Sequence, residues 1–250
     1  GVLLELQASA ERLVVKAEYP HLTTRHKDLE GLAYDSKHNR LLLAAKDKDS
    51  EDKDFRHLYA FDLTNKRFFE RPFLELSLSE VKGQLQALGL EVPHKLNKKG
   101  RVKDALKLRF SSLAIRPESG DLVLLSSSEP CLLTLQADGR VKNLQILDSA
   151  TLPKPEGILF LSHDKLLIAS EGKKIGVGIL QTFHWNDQYP RTIEKPSVSR
   201  SVMVEKSPDS DVADSLLHRE GSFTAILLLV GFVGGGAFVS SLRKRTSPRD

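Results

Sequence analysis

Short apolar runs, punctuated by charged and turn residues, set the pattern of this chain. Three segments, Glu30-Gly31-Leu32-Ala33-Tyr34, Ser111-Ser112-Leu113-Ala114-Ile115 and Glu156-Gly157-Ile158-Leu159-Phe160, are each followed ten or eleven residues later by an aliphatic stretch. Those stretches are Leu41 to Lys46, Leu122 to Ser127 and Leu166 to Glu171. Runs of this length, bounded in this way, predict strands rather than helices. The pair recurs at a spacing of 45 residues between its second and third copies, and at nearly twice that between the first and second, across an insertion. A pair of strands repeated at such a period predicts the blades of a β-propeller.

The strands fall into groups. Leu29 to Asp35, Asn39 to Asp47, Leu58 to Thr64 and Phe68 to Leu74 make one group of four. Leu108 to Arg116, Asp121 to Ser127, Leu132 to Gln136 and Val141 to Leu147 make a second, with hairpin signals at Ser119-Gly120 and Asp138-Gly139. A third runs Gly157 to Leu161, Lys165 to Ser170 and Gly178 to His184. Residues 1 to 7 and 12 to 19 read as the two outer strands of a preceding blade whose inner strands are absent. The count is three to four blades, and closed propellers have four to eight. An open arc exposes sheet edges that must be covered. The expectation is therefore a propeller over residues 1–187 that is N-terminally incomplete or closes with a partner chain.

Between the first two groups, Leu76, Leu78, Val81, Leu85, Leu88 and Leu90 recur at helical spacing, which predicts an amphipathic helix on the propeller rim. The basic stretch after it, Lys95 to Lys107, has no interleaved aromatics and reads as a solvated loop. Residues 188–220, rich in Ser, Asp and Pro, read as a flexible linker. Phe223 to Leu242 carries no charge and is followed at once by Arg243-Lys244-Arg245. The 22 residues from Gly221 to Leu242 would span roughly 33 Å as a helix, enough to cross a bilayer. They predict a single transmembrane helix, with a basic cytoplasmic tail over 243–250 and the propeller outside the cytoplasm. The glycines at 231, 234, 235 and 236 oppose a helix, and a buried apolar hairpin is the alternative.

Composition adds bounds. The chain is 40% hydrophobic and 28% charged, which is globular. The net charge of +4 is small beside 37 basic and 33 acidic side chains and gives no field suited to nucleic acid. The lone Cys131, next to Leu132 and Leu133, excludes an intramolecular disulfide and reads as a small core residue. No Gly-x-Ser-x-Gly elbow, phosphate loop or metal-spaced histidine set is present. The acidic loop Lys46 to Asp54 lacks the glycine and distal glutamate of a calcium loop and reads as a charged hairpin loop.

The repeat itself points to a site. The innermost strand of a blade pairs antiparallel with the next, so the start of the first lies beside the end of the second. That pairing places Glu30 near Lys46, Ser111 near Ser127 and Glu156 near Glu171, all at one mouth of the channel. These six are the candidate ligand-binding residues. Converging carboxylates suit a hard cation, so Glu30, Glu156 and Glu171 are candidate calcium ligands, and neighbouring glutamates must otherwise share a proton or meet a basic partner. The structural alternative is that Glu-Gly is strand punctuation, with glycine permitting a tight backbone.

At Asp28-Leu-Glu-Gly-Leu-Ala-Tyr-Asp35, Asn39 to Asp47, Leu58-Tyr-Ala-Phe-Asp62, Ala114 to Asp121, Pro155-Glu-Gly-Ile158 and Ala169-Ser-Glu-Gly172, the chain resembles the SdiA-regulated, or YjiK-like, family of bacterial propellers. The resemblance covers about residues 10 to 185. It implies a propeller that is extracytoplasmic or membrane-associated, with no settled activity. The Glu-Gly starts are also similar to those of gluconolactonase- and paraoxonase-class propellers, which implies a metal role for Glu30 or Glu156. The expectation is thus a bacterial, membrane-tethered, extracytoplasmic binding module for an unknown polar ligand or protein, with a calcium-dependent esterase or lactonase as the alternative.

Overall fold

A computed structural model describes residues 2–8, 13–20, 28–46, 48–96, 102–103, 106–171, 178–185, 202–204, 230–233 and 236–240. The elements begin with β1 (Val2–Ala8), β2 (Leu13–Pro20), β3 (Leu29–Asp35), β4 (Arg40–Ala45), β5 (Phe55–Asp62), β6 (Arg67–Phe68) and β7 (Leu74–Ser77). The helix α1 (Leu78–Ala87) and the short strands β8 (Lys95–Leu96) and β9 (Val102–Lys103) form the insertion. Then follow β10 (Phe110–Ile115), β11 (Leu122–Ser126), β12 (Cys131–Leu135), β13 (Val141–Ile146), β14 (Pro155–Ser162), β15 (Lys165–Ser170), β16 (Gly178–His184), β17 (Val202–Val204), β18 (Val230–Val233) and β19 (Gly236–Ser240).

The protein is all-β with antiparallel pairing throughout its main sheets. Their strand orders are β18-β19-β1-β2, β3-β4-β5-β6 with β7 also on β5, β10-β11-β12-β13, and β14-β15-β16-β17. We number these sheets as blades I to IV. The first strands β3, β10 and β14 lie side by side, and β18 and β19 flank β3. This is the arrangement of propeller blades around an axis.

Blade packing explains the continuous apolar runs. Along β4, Leu41, Leu43 and Ala45 belong to the core shared with blade I, whereas Leu42 and Ala44 belong to the core shared with blade III. Along β11, Leu122 and Leu124 face blade II, and Val123 and Leu125 face blade IV. A sheet buried on both faces has no polar positions to alternate. Cys131 sits in the blade II–III core, fully buried, as expected of a small hydrophobe. The amphipathic insertion forms α1, shorter at both ends than its apolar pattern, and buries Leu78, Val81 and Leu85. Ser77 caps it by accepting from the Glu80 amide at 3.2 Å.

The C-terminal part of the chain is described only in part. Where the segment 221–242 is described, it forms the strands β18 and β19, and no helix among the described residues is long and apolar enough to cross a membrane. Valine and phenylalanine favour a pleated surface, and the glycines penalise a helix, so the hairpin prevails. Furthermore, β19 pairs with β1 through Leu3↔Ser240 to Leu6↔Ala237. The sheet of β1 and β2 thus has the strand order β18-β19-β1-β2. The rest of 221–242, the tail 243–250 and nearly all of the linker 188–220 lie outside the described residues.

Candidate functional site

The starts of β3, β10 and β14 share one irregularity. The register passes from Leu29↔Ala45 to Gly31↔Ala44, from Phe110↔Ser126 to Ser112↔Leu125, and from Pro155↔Ser170 to Gly157↔Ala169. The extra residues are Glu30, Ser111 and Glu156, so each blade carries a bulge at the same place. Bulges re-aim a side chain and kink the strand at a rim. The residue after the bulge is small because space there is short. A Cβ on Gly31 would lie 2.8 Å from Ala44 Cβ and 3.1 Å from Leu113 Cβ of the next blade.

A matching backbone hydrogen bond closes each mouth position. Lys46 N donates to Asp28 O at 3.0 Å, Ser127 N to Arg109 O at 3.0 Å, and Glu171 N to Lys154 O at 3.2 Å. Lys46 thus meets Glu30 in blade II, whereas Ser127 is bonded to Arg109 and Ser111 to Pro155. The repeat also adds three residues that the sequence reading passed over: Asp28, Arg109 and Lys154 stand two positions before each bulge. That fixed offset was the available signal, but their differing chemistry hid it.

The side chains form a network of ion pairs. Lys46 Nζ lies 2.5 Å from Glu30 Oε1, and both are largely buried. Lys154 bridges Glu156, at 3.3 Å, and Glu171, which it contacts more closely. Burial pushes the Glu30 carboxyl up to about 7; Lys46 opposes this, and the charges of Glu156 and Asp28 add to it. Glu30 and Glu156 therefore sense each other across the opening. Burial works against the Lys154 ammonium, but Glu171 and Glu156 override it and raise its pKa.

The serines have a different use. Ser111 Oγ donates to Pro155 O at 3.2 Å, and Ser112 Oγ accepts from Ile158 N at 3.1 Å. Both bonds are buried and tie blade III to blade IV. Ser127 is half-buried beside Arg109. Thus Glu30, Lys46, Glu156 and Glu171 share the mouth with Lys154, while Ser111 is spent on packing.

For the expected calcium ligands, ammonium groups sit against the carboxylate oxygens that a cation would need. Among the described residues no group of three His, Cys, Asp or Glu side chains is arranged to hold a metal ion. The acidic loop after β4 is organised by Asp49, which is buried, accepts from the amides of Glu51 at 2.7 Å and Asp52 at 3.1 Å, and lies 3.3 Å from His57 Nδ1. It is a hairpin loop with its own internal partner; residue 47 lies outside the described residues.

No protein-family model matches the chain, and no curated protein matches it. Solved structures do. The chain is similar to one in a nidogen–laminin complex, at 14% identity over 74% of this chain and 58% of that one, with a TM-score of 0.41. It is similar to the Dos1 propeller, at 14% identity over 85% of this chain and 42% of that one, with a TM-score of 0.39. A protein of unknown function from Bacteroides caccae aligns at 8% identity over 83% of this chain and 59% of that one, with a TM-score of 0.39. The chain spans about two fifths to three fifths of the length of these structures.

Proposed function

We propose that the chain is a β-propeller interaction module whose mouth receives the basic side chain of a polar peptide or protein partner. The observation that carries this reading is the meeting of Glu30 and Glu156 at one opening, where Lys46 pairs with Glu30 and Lys154 joins Glu156 to Glu171. Carboxylates gathered against a low-dielectric wall favour a cation. Rigid strands hold these groups, as recognition requires. A basic partner is favoured over calcium because an ammonium or guanidinium can join an existing hydrogen-bond network, whereas calcium demands six to eight oxygens stripped of competing lysines.

The test is calorimetric titration of the full chain with trilysine and, separately, with calcium, alongside Glu156→Gln. The full chain is needed because β18 and β19 complete blade I. Trilysine binding that weakens in the variant, with no calcium heat, is expected. Calcium binding lost in Glu156→Gln would instead put the hydrolase reading first, and trilysine binding unchanged by the variant would remove the mouth from the reading.

A further inference from the structure

Each blade packs on its neighbours through fixed positions of the repeat. The residue two places after the bulge, Leu32, Leu113 or Ile158, is buried in the core shared with the preceding blade. The next residue serves the following blade: Ala33 belongs to the core between blades II and III, and Ala114 to that between blades III and IV. Their partners on the second strand, Leu42 and Val123, join the same two cores. Alternation along a strand imposes this division, because successive side chains leave the sheet on opposite sides.

Blade IV has the same two faces and fills one of them. Ile158, Leu166 and Ile168 lie in the core with blade III. Leu159 stands where Ala33 and Ala114 stand, yet it is 52% exposed, against 5% and 6% for those alanines. Leu161, on the same side of β14, is 53% exposed. Leu167, which pairs with Leu159, and Leu180, which pairs with Ala169 on the next strand, are half-buried. A single exposed leucine is ordinary, but an apolar face that crosses three strands marks an interaction surface.

Blade I carries the complementary face. Leu3 joins the core shared with blade II. On the opposite side of that sheet Val2 and Val15 are exposed and Leu4 is half-buried, with Val15 paired to Leu6. In blades II to IV this is the side that receives the preceding blade. Among the described strands, β18 and β19 pack on β3, and β14 packs on β10 and β11, so blades I and IV end the row.

We infer that two copies of this chain pack head to tail, blade IV of each on blade I of the other. A second copy fits because it supplies both halves of the contact that the chain already makes between its own blades. Heterologous contacts close into a ring when their rotation allows, and four blades from each copy make eight, within the range of closed propellers. The experiment is sedimentation velocity of the full chain across the micromolar range, where twice the mass of one copy is expected. Leu159→Glu/Leu161→Glu on blade IV and Val2→Lys/Val15→Lys on blade I should each halve that mass, because a charge buried without a partner opposes the contact. An equimolar mixture of the two variants should recover it, since one contact then joins glutamates to lysines and the other is unmodified. The substituted side chains are exposed in the single chain, and far-ultraviolet circular dichroism matching the unmodified chain shows that the variants fold. An unmodified chain of one-copy mass, a variant that remains a dimer, or a mixture of folded variants that stays monomeric would overturn the inference.

Discussion

Glu30 offers the sharpest quantitative test of the mouth. Its carboxyl is 6% exposed, and its pKa rises from an ordinary 4.5 to about 7 in the folded protein. The native state therefore holds this proton more tightly than the unfolded chain, and stability must fall as pH rises between those two values. Each tenfold difference in proton affinity is worth about 1.4 kcal/mol, so ionising Glu30 costs the fold about 3 kcal/mol. Urea unfolding near pH 4.5 and at about pH 8, compared between the unmodified chain and Glu30→Gln, isolates this group. The attraction of Lys46 acts only on the ionised carboxylate and is already counted in the pKa of about 7, which burial raises in spite of it. Asp35 and Asp54, whose carboxyls are held below the usual range by hydrogen bonds and a nearby arginine that outweigh burial, act only at lower pH. The unmodified chain should lose about 3 kcal/mol more than the variant over the interval. Parallel pH profiles would refute the claim that burial dominates at Glu30.

Three further outcomes follow from the packing. Gly31→Ala should destabilise by about 1–3 kcal/mol in thermal or urea unfolding, because the new methyl meets Ala44 Cβ at 2.8 Å with no flexible atom to yield. Ser112→Ala should cost about 1–3 kcal/mol in the same assay by leaving the buried Ile158 amide without its acceptor, whereas the exposed Ser36→Ala should be nearly neutral. Removal of residues 221–250 should strip β1 of its β19 partner, and hydrogen exchange should then rise across Val2–Ala8 while the amides of β11 and β12 stay protected.

Much of this was legible in the sequence. Spacing located the strands of blades II to IV, because a strand buried on both faces must be apolar throughout and Leu41–Ala45, Leu122–Ser126 and Leu166–Ser170 satisfy that locally. Antiparallel pairing then placed Glu30 beside Lys46 and Glu156 beside Glu171, since the register of a short hairpin is set by its own turn. What the sequence could not decide depends on partners far apart in the chain. The segment around Val230–Ser240 is apolar enough for a membrane helix, and only its pairing with Leu3–Leu6 makes it the inside of blade I. Ser111 and Glu156 occupy the same bulge, yet one bonds to the neighbouring blade and the other joins the mouth. The contact of Glu5 in blade I with Lys66 in blade II arises between elements that no local periodicity relates. Local pattern fixes which residues form strands and which way they point; contact between distant strands decides which of those residues are neutralised, buried or left to meet a partner.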